Sequence, residues 1–432
     1  MKLMLHRLFL HSPMQRKYAA KAAAERKNMK FLHLGDLHLG KTLNDFDLIE
    51  DQRYILDQIL GIAEKESVDG VLIAGDVYDK SVPSEAATRL LDDFLSKLAN
   101  RGIRVFMVSG NHDSDDRLNY GSVLFASNQI FISAVFDGTL HRKSLADGDD
   151  RIDIYMLPFV KASQVRHYFP DARIDSYEDA VRTILKNTPI NRNNKNLLVA
   201  HQFVSGKGED PALAGSESIG TQSVGMVEKI GYDCFDDFDY VALGHIHSPQ
   251  RVGRDGVRYA GAPLKYSLGE AKNEKTVPLV TVSAAEGVKI ALVPLKPMRD
   301  MRHIRGTLRE LLDKKNVKAT EDFIYATLTD EDIINDVMGI FRQIYPNTVR
   351  IDYDNSHTRE IEQVDISRIA ENKSFPELIG DFYRLMYGCE ITEEEMDVMR
   401  TAAREAGVIN EADETDYKRN RSLCGNAPGN IV

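Results

Sequence analysis

Five short apolar runs, each ending in a polar cluster, constrain this chain more than any other feature. The runs are residues 30–34, 70–74, 104–108, 196–199 and 240–243. The clusters after them are Gly35-Asp36-Leu37-His38, Gly75-Asp76-Val77-Tyr78-Asp79, Gly110-Asn111-His112-Asp113, Ala200-His201 and Gly244-His245-Ile246-His247. Runs this short and this rich in Val, Leu, Ile and Phe read as buried strands.

Helical patterns lie between the early runs. Residues 49–66 carry Ile55, Ile59 and Ile62 on one face with Leu56 and Leu60 beside them, and 84–100 opens on Ser84 as an N-cap and carries Leu90, Leu91, Phe94 and Leu98. Strand alternating with helix implies right-handed βαβ units, whose ligands bind outside the carboxyl ends of the strands. All five clusters fall at such ends, so the pattern places them at one site.

The clusters supply Asp36, His38, Asp76, Asn111, His201, His245 and His247 as candidate metal ligands. Asp36 and His38 are two apart, a spacing that lets both face one metal from an extended segment, and His245 and His247 repeat it. The Asp76 carboxylate can bridge two cations. Mixed nitrogen and oxygen ligation suits Mn, Fe or Zn better than Mg, and the lack of thiolates argues against a structural zinc site. Two divalent cations about 3.5–4 Å apart clamp a phosphate for in-line displacement. His112, next to Asn111 and not needed as a ligand, is the candidate catalytic acid for the leaving oxygen. Asp79 and Asp113 are candidates to support the ligands by hydrogen bonding. His33 reads as a packed or surface histidine.

Composition bounds the alternatives. No apolar stretch approaches the ~20 residues of a membrane span. Cys234, Cys389 and Cys424 make neither a CxxC pair nor a disulfide framework, which points to a reducing, cytoplasmic setting. Residues 1–28 hold seven Lys/Arg and one Glu, so the other 404 carry −17 of the formal −11 total. This basic segment reads as an organelle-targeting leader or as a start codon placed too early, with Met29 opening directly into the first strand. An acidic body is unfavourable for binding a phosphate backbone, which requires local patches, bound cations or a partner.

The order of motifs resembles the calcineurin-like metallophosphoesterases. The resemblance implies an α/β fold: a two-layer β-sandwich flanked by helices. It also implies one metal on Asp36, His38, Asp76 and His247 and the other on Asp76, Asn111, His201 and His245. More narrowly, Asp36-Leu-His-Leu-Gly-Lys41, Glu50-Asp-Gln-Arg53, Ala74-Gly-Asp-Val-Tyr-Asp79, Val108-Ser-Gly-Asn-His-Asp-Ser114 and Ala260-Gly-Ala-Pro-Leu-Lys-Tyr-Ser267 resemble the SbcD family of bacterial nuclease subunits. That resemblance implies two metal ions, Mn2+ foremost, with DNA and an SbcC-type coiled-coil ATPase as partners. It further implies a heterotetramer with a nuclease homodimer at its centre, acting in DNA replication, recombination and repair. The activity implied is a double-strand 3'-5' exonuclease and a single-strand or hairpin endonuclease. Members of the family often carry a further active-site histidine between the first two motifs; here none lies between His38 and His112, and Asp47 falls near the place.

The expected organisation is a leader or early start at 1–28, a nuclease domain at 29–298, a small α/β cap at 299–356, a helical partner-binding region at 357–409 and a disordered tail at 410–432. Within the cap, 301–306, 323–328 and 348–353 read as strands and 332–345 as a helix with Ile333, Val337, Ile340 and Phe341 inward. Ser374 and Thr392 open two capping boxes, and Gly388 reads as a C-cap. The Gly/Ser-rich stretch 204–225 reads as a surface loop or as a lid beside the metals. Two other functions fit the same motifs: a phosphoesterase acting on nucleotides or phosphoproteins, and a scaffold that has lost catalysis.

Overall fold

The computed structural model describes residues 28–147, 150–206, 208, 210–213, 229–356, 358, 375–387 and 390–405. The leader, the tail, most of the 204–225 stretch, the Ser374 capping box and Gly388 lie outside the described residues.

Strands β1 (Met29–Leu34), β2 (Gly70–Ala74), β3 (Arg104–Val108) and β4 (Ile130–Ser133) run parallel in one sheet. Strands β5 (His141–Asp147), β6 (Asp150–Leu157), β7 (Lys195–His201), β8 (Tyr240–Gly244), β9 (Gln250–Val252) and β10 (Arg254–Tyr259) form a second sheet. The antiparallel pair β11 (Thr276–Ser283) and β12 (Gly287–Pro294) returns to the first sheet. The orders are β12-β11-β1-β2-β3-β4 and β9-β10-β8-β7-β6-β5.

Alternation along each strand divides the core. Phe31, Leu72, Phe106 and Val108 from the first sheet meet Ile154, Met156, Leu197, Val199 and Ala242 from the second in one inter-sheet cluster. The opposite-facing Leu32, Leu34, Val71, Ile73 and Val105 pack under helices α1 (Ile49–Glu66) and α2 (Glu85–Asn100). Tyr155, Leu198, Val241 and Leu243 of the second sheet pack under α3 (Ala162–Tyr168) and α4 (Tyr177–Lys186). The result is the two-layer sandwich flanked by helices that the motif order implies. Ser84 caps α2 by accepting from the Ala87 N–H at 3.2 Å.

The chain divides into two compact units. The first takes the residues up to Ile304 with Lys318–Tyr325 and Met338–Arg350, and the second takes Arg305–Val317, Ala326–Val337 and the residues from Ile351 on. Strands β13 (Met301–Gly306), β14 (Phe323–Leu328) and β15 (Thr348–Tyr353) form a three-stranded sheet. The expected 332–345 helix is only Val337–Arg342. Asp336 sits at φ +50°, which ends helical propagation on its N-terminal side, and Ile333 is exposed while Phe341 is buried. In the second unit, α5 (Phe375–Tyr387) and α6 (Glu393–Glu405) pair through Tyr383 to Glu395 at 2.6 Å. The second capping box is present, with Thr392 and Glu395 accepting each other's backbone N–H at 3.3 and 2.9 Å.

Phe106 is fully buried between the sheets, with ring centroids 6.4 Å from Phe31 and 5.4 Å from Phe131. Phe106→Ala is expected to lower stability by about 3–5 kcal/mol in denaturant unfolding. A loss under about 1 kcal/mol would show that the sheets do not pack through this ring.

Candidate metal centre

The first, second and fifth clusters leave their strands in backbone conformations that side chains rarely adopt. Asp36 sits at φ +53°, His38 at +43°, Asp76 at +47° and His245 at +101°. The extended geometry expected for Asp36-Leu-His38 is therefore absent. Left-handed turns bring the two side chains together instead, and such strain concentrates at functional sites. Ligand atoms of Asp36, His38 and His247 lie within 4.8 Å of one another, as do those of Asp36, Asp76 and His201 and those of His38, Asp79 and His112.

The seven candidate ligands converge. His38 Nε2 lies 3.1 Å from His247 Nε2 and 3.6 Å from Asp76 Oδ2. His201 Nε2 lies 2.9 Å from Asn111 Oδ1 and 3.4 Å from Asp76 Oδ2, and His245 Nδ1 lies 3.0 Å from the same Asn111 oxygen. Although His245 and His247 repeat the spacing of the first motif, they turn to different neighbours. His201 Nδ1 donates to the Ala74 carbonyl at 2.8 Å, which fixes Nε2 as the coordinating nitrogen.

Two glycines are required by close approach. A Cβ at Gly110 would run into Asp76, with Cγ at 2.7 Å, and one at Gly244 would strike the Ala74 carbonyl and lie 2.9 Å from His201 Nδ1.

Electrostatics follow from burial and crowding. Burial pushes the Asp36 carboxyl up against the pull of His201 and His247. Burial opposes the charged form of Asp76 too, but His201 and His38 outweigh it and hold the carboxyl well below its usual range. Burial would lower His201; Asp76 and Asp36 overcome it and raise the imidazole to about 9. Burial and the His201 charge lower His245 to about 3. Asp36 Oδ2 is buried with no hydrogen-bond partner among the described residues. A buried carboxylate oxygen without a donor is costly, and a cation supplies what it lacks. Four imidazoles, two carboxylates and one amide oxygen suit divalent metals of borderline softness.

Around the ligands, Asp79 Oδ1 lies 3.5 Å from His38 Nδ1 and 2.7 Å from Lys41 Nζ. His112 donates its backbone N–H to Asp76 Oδ1 at 2.9 Å, and its Nδ1 lies 3.1 Å from the Asp79 carbonyl. Asp113 turns to the backbone, accepting from Val77, Tyr78 and Gly110 at 2.9–3.1 Å. Burial and the Asp76 charge push its carboxyl up to about 7. Asp47 is exposed and accepts from the Ile49 N–H at 2.8 Å, outside the site; Asp79 is the side chain beside His38 and His112. His33 is fully buried, 2.9 Å from the Tyr240 hydroxyl and 3.1 Å from the Leu243 carbonyl.

Sequence reasoning missed three supports. Gln52 donates to the His38 carbonyl at 2.7 Å and accepts from Gly40 at 2.9 Å, and the Tyr266 hydroxyl donates to the Leu37 carbonyl at 2.6 Å. Glu270, fully buried, lies 3.5 Å from His247 Nδ1. Gln52 and Tyr266 stand in stretches singled out for other reasons, while Glu270 follows 23 residues after His247 in a segment with no motif of its own.

The chain is similar to known proteins over most of its length. A calcineurin-like phosphoesterase family model matches residues 29–249. A model described as the type 5 capsule protein repressor C-terminal domain matches 297–387. The SbcD subunit of the nuclease SbcCD from Staphylococcus epidermidis is 33% identical over 384 residues, covering 86% of this chain and 97% of that protein. A crystal structure of a dimetal phosphatase from Danio rerio, LOC 393393, aligns at TM-score 0.34 and 11% identity over 62% of this chain and 99% of the other. The chain belongs to the calcineurin-like phosphoesterases and, within them, to the SbcD nuclease subunits. It is a metal-dependent nuclease subunit.

Gly110→Ala is expected to displace Asp76 and weaken divalent-cation binding at least about tenfold in titration calorimetry, within the range seen when a ligand's support is lost. Wild-type affinity would refute the close packing of the second and third clusters.

Proposed function

We propose that this chain is the Mn2+-dependent nuclease of a cytoplasmic DNA end-processing complex, cutting duplex ends 3' to 5' and single strands or hairpins internally. The observation that carries the reading is the convergence of five strand-end clusters on one buried site containing an unpartnered carboxylate oxygen. Asp36, His38, Asp76 and His247 would hold one cation, and Asp76, Asn111, His201 and His245 the other. The bound cations supply Lewis acidity toward water and the phosphodiester.

The chain's own residues supply the rest. Asp76 and Asn111 anchor the centre because His201, His245 and the His112 backbone all converge on them. His112 stands beside the ligands, its ring centroid 4.9 Å from that of His38. Its Nδ1 faces a carbonyl, which only accepts, so the neutral ring carries its proton on Nδ1 and Nε2 is the basic nitrogen. Once protonated there, His112 gives that proton to the leaving 3' oxygen. Asp79 and Asp113 hold the surrounding backbone and His38 in place.

Residues 29–298 act as the nuclease domain and 299–356 as a cap that contacts DNA. The helical region 357–409 binds a coiled-coil ATPase of the SbcC type, in a heterotetramer around a nuclease homodimer. The exposed Phe382 and Val398 on α5 and α6 support the ATPase contact, and the exposed Tyr120, Val123 and Leu124 support the homodimer. The apolar stripes of α1 and α2 are consumed by packing on the sheet.

His112→Ser in the purified complex is expected to lower Mn2+-dependent cleavage of linear duplex DNA by about 100-fold or more while Mn2+ binding persists. Undiminished cleavage overturns the acid role. Deleting residues 374–408 is expected to abolish co-purification with the ATPase and to leave hydrolysis of a small phosphodiester intact; a persistent complex refutes the docking role.

A further inference from the structure

Glu270 is the least expected buried charge near the centre. Its carboxylate is fully buried at the end of a short 3-10 turn, Leu268–Glu270, that carries no motif. One oxygen faces the Lys275 ammonium at 2.5 Å. The other accepts from the Tyr266 N–H at 3.1 Å and the Ser267 hydroxyl at 3.3 Å, and lies 3.5 Å from His247 Nδ1. Lys275 is itself buried and donates to the His247 carbonyl at 2.9 Å. The ion pair therefore grips His247 twice, at its ring and at its backbone.

Burying such a pair is expensive, and an apolar pair of the same shape often serves stability as well or better. A purely structural brace for this turn needs neither charge. A histidine that binds metal does need a carboxylate or carbonyl on its other nitrogen, which sets the tautomer and the ring plane. The other candidate ligand with a defined backbone partner, His201, has the Ala74 carbonyl in that place. His247 presents Nε2 toward His38 Nε2 at 3.1 Å, and a proton held at Nδ1 by Glu270 leaves that Nε2 a lone pair for coordination.

We propose that Glu270 is a positioning residue for His247, orienting its ring and holding its proton on Nδ1, with Lys275 as the counter-ion that makes the buried carboxylate tolerable. It acts on only one of the two cation positions, because the His201, His245 and Asn111 contacts do not involve it. The inference rests on the reading that these clusters hold cations.

The test is titration calorimetry of the metal-free full-length chain with MnCl2, alongside thermal unfolding before and after loading. The wild-type chain is expected to bind two equivalents. Glu270→Gln, which keeps the size of the side chain, is expected to weaken one equivalent about 10- to 100-fold. The other should stay within about twofold, while the metal-free melting temperature falls because Lys275 is left buried without its counter-ion. Glu270→Asp, which keeps the charge beside Lys275 but withdraws it from the ring, is expected to give the same one-sided loss and serves if the Gln variant does not fold. Two equivalents bound with wild-type affinity in either variant overturn the positioning role. So does equal weakening of both equivalents, which marks a structural brace. A wild-type chain that binds no Mn2+ overturns the metal-centre reading itself, and the inference with it.

Discussion

Of the hydrogen bonds that join the two sheets, one lies where the chemistry does. The His201 imidazole, at the end of β7 in one sheet, donates to the Ala74 carbonyl at the end of β2 in the other, at 2.8 Å. The bond closes only because the chain beside it has no side chain. Gly244 passes against the same carbonyl and the same ring, and Gly75 passes against His201 from the other side. With the sheets held this closely, the carboxyl ends of β1, β2 and β3 oppose those of β7 and β8. Donor atoms from residues more than 200 apart in the chain, such as His38 and His247, then come within 3.1 Å. The inter-sheet core places the strands, and this contact sets their ends.

The same closeness makes the centre costly. Two buried aspartates and four imidazoles crowd one small volume, and their preferences conflict. Burial favours neutral Asp36, mutual attraction favours charged Asp76 with protonated His201, and His245 is kept neutral. Four of the participating residues also hold left-handed backbone. A fold retains local conflict of this kind only where the surrounding structure over-determines it, usually at a functional site. Here the surroundings are specific. Gln52 and Tyr266 bind the turn between Asp36 and Gly40, Asp113 gathers three N–H groups of the second and third clusters, and the Glu270–Lys275 pair braces the fifth.

The legible part of this molecule was the part with short-range pattern. Buried parallel strands advertise themselves as apolar runs, and a metal centre as residue types at their ends, so β1, β2, β3, β7, β8 and all seven candidate ligands could be read directly. Strand β5 escaped notice because it is exposed and polar, His-Arg-Lys-Ser-Leu-Ala-Asp, and lies at the edge of its sheet. The 332–345 helix was over-read because its apolar spacing continued through Asp336, where the backbone turns left-handed. The spacing argument for Asp36 and His38 reached the right neighbours through the wrong conformation, since a turn at each of the two residues does what an extended segment was expected to do. Glu270 lies beside a ring nitrogen only through long-range packing, which no local window contains.

The acidic balance of the chain takes on a different meaning once the centre is drawn. Asp36, Asp76, Asp79, Asp113 and Glu270 gather carboxylates where a nucleic-acid backbone would have to approach, within a body of strongly negative charge. Such a pocket repels phosphate when empty of cations, and a bound divalent ion is often the largest local charge in a site, enough to invert the electrostatics around it. Under the proposed function, cation binding therefore does more than activate water. It decides whether a phosphodiester can enter at all, so substrate binding should follow metal loading and not precede it. The side chains nearest the centre that carry permanent positive charge are already committed: Lys41 to Asp79 and Lys275 to Glu270. Under that reading these two lysines hold the metal site in shape, and attraction of the phosphate at the centre falls to the bound ions.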